Sequence, residues 1–334
     1  MNKKVRWGVL GAAKIAVEKV IPAMQQGEWC EIAAIASRNV DKAESAASSL
    51  KIPRVYGSYE ELLLDPEIEA VYLPLPNHLH VPWTIKAAEA AKHVLCEKPL
   101  SLTVEEAKSL LAVQERTNVT IQEAFMIRTH PQWLGVIKLI RSGRIGELRA
   151  INGFFSYFNR NAENIRNKPK FGGGALMDIG CYPIFISRLI YAEEPKRVLG
   201  LIERDPEMQI DSLTSAILDF PSGHASFTCS TQLAPYQRMQ FLGSTGRIEV
   251  EIPFNIPTDT PTRVYIDDGS DLYGRNIETI EFDPANQYTI QGDVFSRMIR
   301  EGGEQAVSLE DSIRNMAVIE AVFRSARSSN WEAP

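Results

Sequence analysis

The chain has 334 residues, of which 44% are hydrophobic and 23% charged. That composition suits a soluble globular protein and excludes a disordered, collagen-like or coiled-coil chain; at about 150 residues per domain the length predicts two domains. Thirty-six basic residues against 42 acidic ones leave a net charge of −6, without the basic footprint by which nucleic-acid binders displace counterions. The four cysteines, Cys30, Cys96, Cys181 and Cys229, form no Cys-x-x-Cys pair and predict reduced, mostly buried thiols rather than a zinc site or a disulfide framework. Arg6 interrupts the first apolar run, so no secretory leader is read. No apolar stretch is expected to approach the ~18 residues of a membrane span. The expectation is a cytoplasmic protein with neither membrane nor nucleic-acid partner.

Taken in chain order, the first 125 residues alternate strand-like and helical runs. Val5 to Leu10 reads as a strand, Lys14 to Gln26 as a helix that Pro22 kinks, and Glu31 to Ser37 as a second strand. Asp41 to Leu50 is an Ala-rich helix with Asp41 as a candidate cap, and Ser58 opens a short helix with Glu61 at capping-box spacing. Ala70 to Pro74 is a strand, Val81 to Ala91 a helix and His93 to Glu97 a strand. Thr103 to Thr117 is a helix opening Thr-x-x-Glu, and Thr120 to Glu123 a last short strand. This βαβ rhythm predicts a doubly wound parallel sheet, in which ligands bind beyond the carboxyl ends of the strands.

The second half changes character. A helix from Gln132 to Arg141 leads into strand-like runs: Leu148 to Phe158, Arg197 to Ile202, Ser212 to Phe220, His224 to Gln232, Met239 to Leu242, Arg247 to Ile252 and Thr262 to Ile266. The alternation of Ala225, Phe227 and Cys229 with Ser226, Thr228 and Ser230 fits an antiparallel sheet with one covered face. Helices are expected at about Ala175 to Tyr191, Tyr288 to Arg300 and Leu309 to Ala326. The fold class is α/β: a Rossmann domain over 1–125, then an α+β domain over 126–334 with an open, mostly antiparallel sheet.

The chemistry-bearing motifs sit at strand ends. Gly11-Ala12-Ala13-Lys14-Ile15-Ala16 follows the first strand and matches the dinucleotide fingerprint as Gly11-x-Ala13-x-x-Ala16. Its small residues allow a tight turn, close approach of backbone to a pyrophosphate and close helix packing. The second strand ends Ala36-Ser37-Arg38-Asn39, with no carboxylate for the ribose hydroxyls of NAD. Ser37 and Arg38 suit a 2′-phosphate instead, so NADP is favoured and NAD is the weaker alternative; a solvated Arg38 with no role in the choice is the plainer one. Leu75-Pro76-Asn77-His78-Leu79-His80 is a stiff loop after the next strand, in which Asn77 also suits a helix cap. Glu97-Lys98-Pro99 ends the strand His93 to Glu97 and aims Lys98 at the cofactor crevice. The candidate cofactor contacts are Gly11, Ala13, Lys14, Ile15, Ser37, Arg38, Leu75, Pro76, Asn77, His80, Glu97 and Lys98. The five histidines are scattered, with no His-Glu-x-x-His, and predict no metal site; no Gly-x-Ser-x-Gly elbow is present.

These motifs, with Gly172-Gly173-Gly174-Ala175-Leu176-Met177-Asp178-Ile179-Gly180-Cys181-Tyr182, resemble in order and over essentially the whole chain the Gfo/Idh/MocA oxidoreductase family. The resemblance implies a Rossmann domain followed by a domain whose open sheet serves oligomerisation as a homodimer or homotetramer. It also implies hydride transfer between a nicotinamide and a sugar, a polyol or a related carbon. The family's Asp-x-Gly-x-His appears here with Tyr182 in the histidine position. That variant, with Glu123 to Gln132 and Asn164-Ile165-Arg166, is similar to the branch of glucose–fructose oxidoreductase, dimeric dihydrodiol dehydrogenase and NADP-dependent D-xylose dehydrogenase. The resemblance implies a small sugar substrate, oxidised at C1 of a pyranose aldose to the aldonolactone. A trans-dihydrodiol dehydrogenase and a non-catalytic sugar or cofactor sensor are the alternatives.

Oxidation at a carbinol removes a hydride and a proton at one centre. A free tyrosine, with a pKa near 10, is a poor base at neutral pH, and a nearby ammonium favours the phenolate. Tyr182 is therefore the expected general acid/base and Lys98 its electrostatic partner. Asp178, one helical turn ahead of Tyr182, is expected to hold a substrate hydroxyl or Lys98, or to be a helix-start carboxylate. Arg166 and Tyr157 complete the candidate substrate contacts.

Overall fold

The computed structural model describes residues 3–334 and divides into two units. One contains residues up to Thr129 together with Asn286–Ile313; the other contains His130–Ala285 and Arg314–Pro334.

The first unit is built on six parallel strands: β1 (Val5–Leu10), β2 (Cys30–Ala36), β3 (Arg54–Tyr56), β4 (Ala70–Leu73), β5 (His93–Cys96) and β6 (Ile121–Glu123). They lie in the order β3-β2-β1-β4-β5-β6, so the sheet reverses its winding between β1 and β4, where a doubly wound sheet opens its crevice. β4 is buried at every residue and β1 at all but one, which is why they read as apolar runs rather than alternating ones. Ser58 and Thr103 cap their helices as the spacing predicts, accepting from Glu61 N at 3.2 Å and Glu106 N at 3.1 Å. The helix Val40–Leu50 is capped by Asn39, which accepts from Lys42 N at 3.1 Å, and not by Asp41. Starting one residue earlier, that helix keeps Asp41 in its first turn, where a carboxylate suits the macrodipole. Pro22 sits in the helix Ile21–Gln25, directly after a π turn over Ala16–Val20 in which Ile21 N–H bonds Ala16 O. The strain that a proline imposes on the preceding turn is relieved by that widened turn.

The second half is not all one unit, against the expected 126–334. The helix Gln287–Glu301 returns to the first unit, where Phe295 packs on Trp7 with ring centroids 5.5 Å apart and Ser296 Oγ accepts from Trp7 Nε1 at 3.0 Å. Asp293 accepts from the backbone N–H groups of Glu28 and Trp29, and Arg300 pairs with Glu69 at 2.7 Å. Sequence periodicity identifies such a helix but carries no information about which sheet it covers.

The second unit holds eight strands: β7 (Leu148–Phe158), β8 (Arg197–Arg204), β9 (Asp211–Phe220), β10 (Gly223–Ser230), β11 (Gln232–Gly243), β12 (Arg247–Val250), β13 (Thr262–Asp267) and β14 (Ile277–Phe282). Their order is β14-β13-β12-β11-β7-β10-β9-β8. Only the β7–β10 pair is parallel. The expected alternation holds on β10 as far as Cys229, with Ala225, Phe227 and Cys229 buried and Ser226 and Thr228 less so, but Ser230 is buried as well and donates to Ser212 O at 2.7 Å. On the buried side the helix Cys181–Tyr191 crosses β7, with Pro183 against Gly153. Pro169–Tyr191 is long and apolar enough to cross a membrane, against the expectation that no such stretch exists. From Gly174 onward nearly every residue of it is buried in this unit, so its apolarity is that of a core segment. The four cysteines are free and buried, as expected.

If the helix Gln287–Glu301 is part of the first unit's core, Phe295→Ala should lower that unit's stability by roughly 3–5 kcal/mol, the usual cost of emptying a large aromatic site. Urea denaturation followed by Trp7 fluorescence measures this, and a loss below about 1 kcal/mol would show that the helix is not part of that core.

Candidate active site

In the first unit the expected cofactor residues gather at the carboxyl edge of the sheet. Gly11 follows β1 with φ +120°, and its N–H bonds Ala36 O at 2.8 Å, tying the ends of β1 and β2. A Cβ there would lie 3.1 Å from Leu75 Cδ2 and 3.7 Å from the Tyr59 hydroxyl, so it is the conformation that calls for glycine, and a side chain would also press on the end of Leu75. Ala13 stands before the helical segment that Lys14 and Ile15 open; Lys14 is exposed and 3.9 Å from Glu18.

At the end of β2, Ser37 is buried and accepts from Asn39 N at 3.2 Å, while Arg38 is exposed and interacts with the Tyr59 hydroxyl. Burial raises the pKa of Tyr59 and the Arg38 guanidinium opposes that rise. Tyr59 was missed by motif reading because it lies in a helix after β3, a strand too short to leave a periodic signal. Its ring stands edge-on to Trp83, 4.7 Å between centroids.

His80 was expected to touch the cofactor. It is 1% exposed, and its two ring nitrogens lie 2.7 Å from Leu75 O and 2.7 Å from Pro99 O. A neutral imidazole carries one N–H, so His80 donates to one of these loop carbonyls and packs against the other, standing between the two loops rather than lining the crevice. Burial pushes its pKa down to about 4, although both carbonyls pull the other way. Pro76 and Asn77 remain half-buried on the loop that His80 ties down, and Asn77 opens a single 3-10 turn. Glu97 accepts from the Tyr72 hydroxyl at 2.6 Å and from the N–H of Lys98 at 3.3 Å. Lys98 is half-buried and precedes the cis bond to Pro99. No carboxylate stands at the end of β2, and the Gly11 turn presents bare backbone in a conformation that favours glycine. Both observations fit a phosphorylated dinucleotide laid along this edge.

In the second unit the structure brings Asp178, Arg166 and Tyr157 together. Arg166 Nε lies 3.1 Å from both Asp178 oxygens, and the Tyr157 hydroxyl donates to Oδ2 at 2.6 Å. Burial and the neighbouring Asp178 charge both raise the Tyr157 pKa, so its phenol is a donor and no base. Asp178 lies in a π turn over Leu176–Gly180, wider than the α turn expected, and Tyr182 begins the next turn. The Tyr182 ring is 4% exposed, 5.3 Å from Phe254 and 5.9 Å from Phe155 between centroids. Packing thus fixes the ring of the residue expected to move the proton. Phe254 follows β12 in an irregular stretch, where no periodicity marks it.

Residues 5–125 match the oxidoreductase family with an NAD-binding Rossmann fold, and residues 133–249 match the GFO/IDH/MocA C-terminal domain. The chain belongs to the Gfo/Idh/MocA oxidoreductase family. Among its relatives, an uncharacterised oxidoreductase of Rhizobium meliloti is 50% identical over 98% of both chains. A D-xylose 1-dehydrogenase (NADP(+)) of Haloferax volcanii is 37% identical over 96% of this chain and 97% of that one. The structure of a 3-ketoreductase from Actinomadura kijaniata in complex with NADP and TDP-benzene superposes with a TM-score of 0.90 at 30% identity, covering 97% of this chain and 98% of that chain. The Gfo/Idh/MocA assignment agrees with the Gly11 turn and with the strand order of the first unit.

The pKa of His80 gives a pH prediction. Its folded value of about 4 lies below the unfolded 6.5, so the unfolded chain takes up the proton first. Stability is complete above pH 6.5 and is lost as pH falls towards 4, by up to about 3 kcal/mol from this group. His80→Gln, which cannot ionise, should flatten that portion of a pH–stability curve measured by urea denaturation. An unchanged slope between pH 6.5 and 4 would show that His80 is not buried neutral.

Proposed function

We propose that this family member is an NADP-dependent oxidoreductase that oxidises C1 of a pyranose aldose of the D-xylose type to the aldonolactone. The observation that carries this reading is the polar cluster Arg166–Asp178–Tyr157, one wide helical turn ahead of Tyr182. Such a cluster presents a fixed carboxylate and a guanidinium to a ligand rich in hydroxyls. The kinship with a D-xylose 1-dehydrogenase supports the same class of substrate.

When bound, the nicotinamide supplies the hydride acceptor. Tyr182 accepts the proton of the C1 hydroxyl as the C–H bond breaks, and the Lys98 ammonium favours its phenolate and orients the same hydroxyl. Asp178, held by Arg166 and Tyr157, takes a second sugar hydroxyl. Ser37 and Arg38 hold the 2′-phosphate, with Tyr59 behind the guanidinium. Leu201 and Ile217, both exposed, lie on the face of the second sheet opposite Ala225 and Phe227. This supports self-association through that sheet as a homodimer or homotetramer.

Reduction of a keto group on a nucleotide-linked sugar is the second reading, favoured by the likeness to the 3-ketoreductase. A screen of free aldoses, polyols, dihydrodiols and nucleotide-linked ketosugars with NADP and NAD, followed at the absorbance of the reduced nicotinamide, separates the two. Turnover of only the nucleotide-linked sugars overturns the aldose reading, and turnover of nothing supports a sensor.

NADP should bind at least tenfold more tightly than NAD, about 1.4 kcal/mol, and Arg38→Ala should weaken NADP far more than NAD in a fluorescence titration. Equal affinities in the unmodified protein would remove Ser37 and Arg38 as the basis of the choice. Tyr182→Phe, which keeps the packing against Phe155 and Phe254, should lower kcat by about 10²–10⁴. Lys98→Met should lower it by roughly 10² and move the ascending limb of the pH profile upward. A Tyr182→Phe variant with normal kcat and an unaltered profile would reduce the residue to packing.

A further inference from the structure

A second buried carboxylate stands behind the cluster, and nothing in the proposed chemistry uses it. Asp211 opens β9 and is 2% exposed. Its Oδ2 accepts from Leu176 N at 2.6 Å and from Thr214 Oγ1 at 3.2 Å. Its Oδ1 lies against Gly174: a Cβ built on that glycine would be 1.8 Å from the oxygen. Gly174 has φ +121° and donates its N–H to Arg166 O at 2.9 Å, while a Cβ on Gly173 would meet the same carbonyl at 2.4 Å. One carboxylate therefore grips the first N–H of the turn that carries Asp178. It also presses on the glycine that fixes the backbone of Arg166, the residue that holds Asp178.

We propose that Asp211 is a positioning residue for the reaction: through Leu176 N–H and Gly174 it sets the start of the helix bearing Asp178 and Tyr182, and with it the register of Arg166 on Asp178. This deepens the oxidoreductase reading above and rests on it for its effect on turnover. The groups that face Asp211 are the Leu176 N–H, Thr214 on its own strand, the Arg204 guanidinium on β8 and the Cys229 thiol on β10. Three of the four favour the carboxylate; the thiol, itself pushed up by burial, stays neutral. Against them burial pushes the acid up to about 6. Either form offers the Leu176 N–H an oxygen, the ionised one being the stronger acceptor, so the clamp loosens only modestly, as it does in asparagine, when pH falls through about 6. The folded value lies above the unfolded one, so the protonated form is the cheaper to bury. Asparagine, which is always neutral, is therefore tolerated by the fold at neutral pH.

The test uses the whole protein, with Asp211→Ala and Asp211→Asn beside the unmodified chain. Hydrogen exchange of the Leu176 amide, resolved by NMR, should quicken at least tenfold in Asp211→Ala and remain near the original in Asp211→Asn, whose amide oxygen still accepts. With D-xylose and NADP, kcat should fall tenfold or more in Asp211→Ala and recover to within about threefold in Asp211→Asn. NADP affinity should be unaltered in both. The kcat of the unmodified chain should fall by about threefold at most as pH drops through about 6, to the level of Asp211→Asn, whose own profile should lack that step. Unchanged exchange at Leu176 in Asp211→Ala overturns the role whatever the substrate is, as does a kcat within twofold of normal. If Asp211→Ala does not fold, a step near pH about 6 that persists in Asp211→Asn overturns it equally. Failure of the unmodified chain to oxidise any aldose sinks the substrate reading alone, and the exchange measurement still decides whether Asp211 sets the turn.

Discussion

The second unit is organised by the need to pair a carboxylate that has been taken out of water. An ionised Asp178 at 9% exposure is tolerable only with charge and hydrogen bonds around it, because its desolvation costs several kcal/mol. Arg166 supplies the charge and Tyr157 the hydroxyl. Each comes from a different element: Tyr157 from β7, Arg166 from a short 3-10 turn, Asp178 from the π turn. The pairing therefore fixes three backbone segments at once and leaves one side of Arg166 partly exposed. The same requirement explains the glycines that precede it. Residues 172–174 have to pass close to Arg166 O and to Asp211, and side chains at 173 and 174 would collide with both.

The first unit solves a different problem with the same economy of parts. Its sheet must open at the end of β1, and a bare backbone at Gly11 permits that only if the neighbouring loops stay in place. His80, buried between the Leu75 and Pro99 carbonyls and donating to one of them, holds the two loops without entering the crevice. Tyr72 does the same for Glu97. The residues that would touch a ligand are thus backed by residues that would not.

Much of this was legible beforehand. The parallel sheet, the antiparallel sheet, the Ser58 and Thr103 caps and the buried thiols follow from periodicity, capping chemistry and composition. Asp178, Arg166 and Tyr157 were each named separately, and the structure brings them together. What was not legible has physical reasons. β3 and β14 were missed: β3 has three residues, and β14 is a largely exposed strand without an apolar face. The two π turns follow from prolines at 22 and 183, each of which disturbs the turn before it; a sequence shows the proline but not how the strain is shared. Tyr59 and Asp211 act through tertiary neighbours far away in the chain, Arg38 and Gly174 respectively, and no spacing rule links them.

The return of residues 286–313 to the first unit has a consequence for biosynthesis. A ribosome makes the Trp7 strand at the start and the Phe295 helix that covers it near the end. At about 5–20 residues per second, the amino-terminal sheet waits tens of seconds or less with part of its core surface uncovered. During that interval the nascent chain is a natural client for chaperones. A gene fragment ending anywhere between the two units' first junction and residue 295 would encode a sheet with that surface permanently bare. Cutting this protein into separately expressed halves at residue 129 would therefore yield an aggregation-prone piece, and because the first unit is discontinuous in the chain no single cut between the units avoids this.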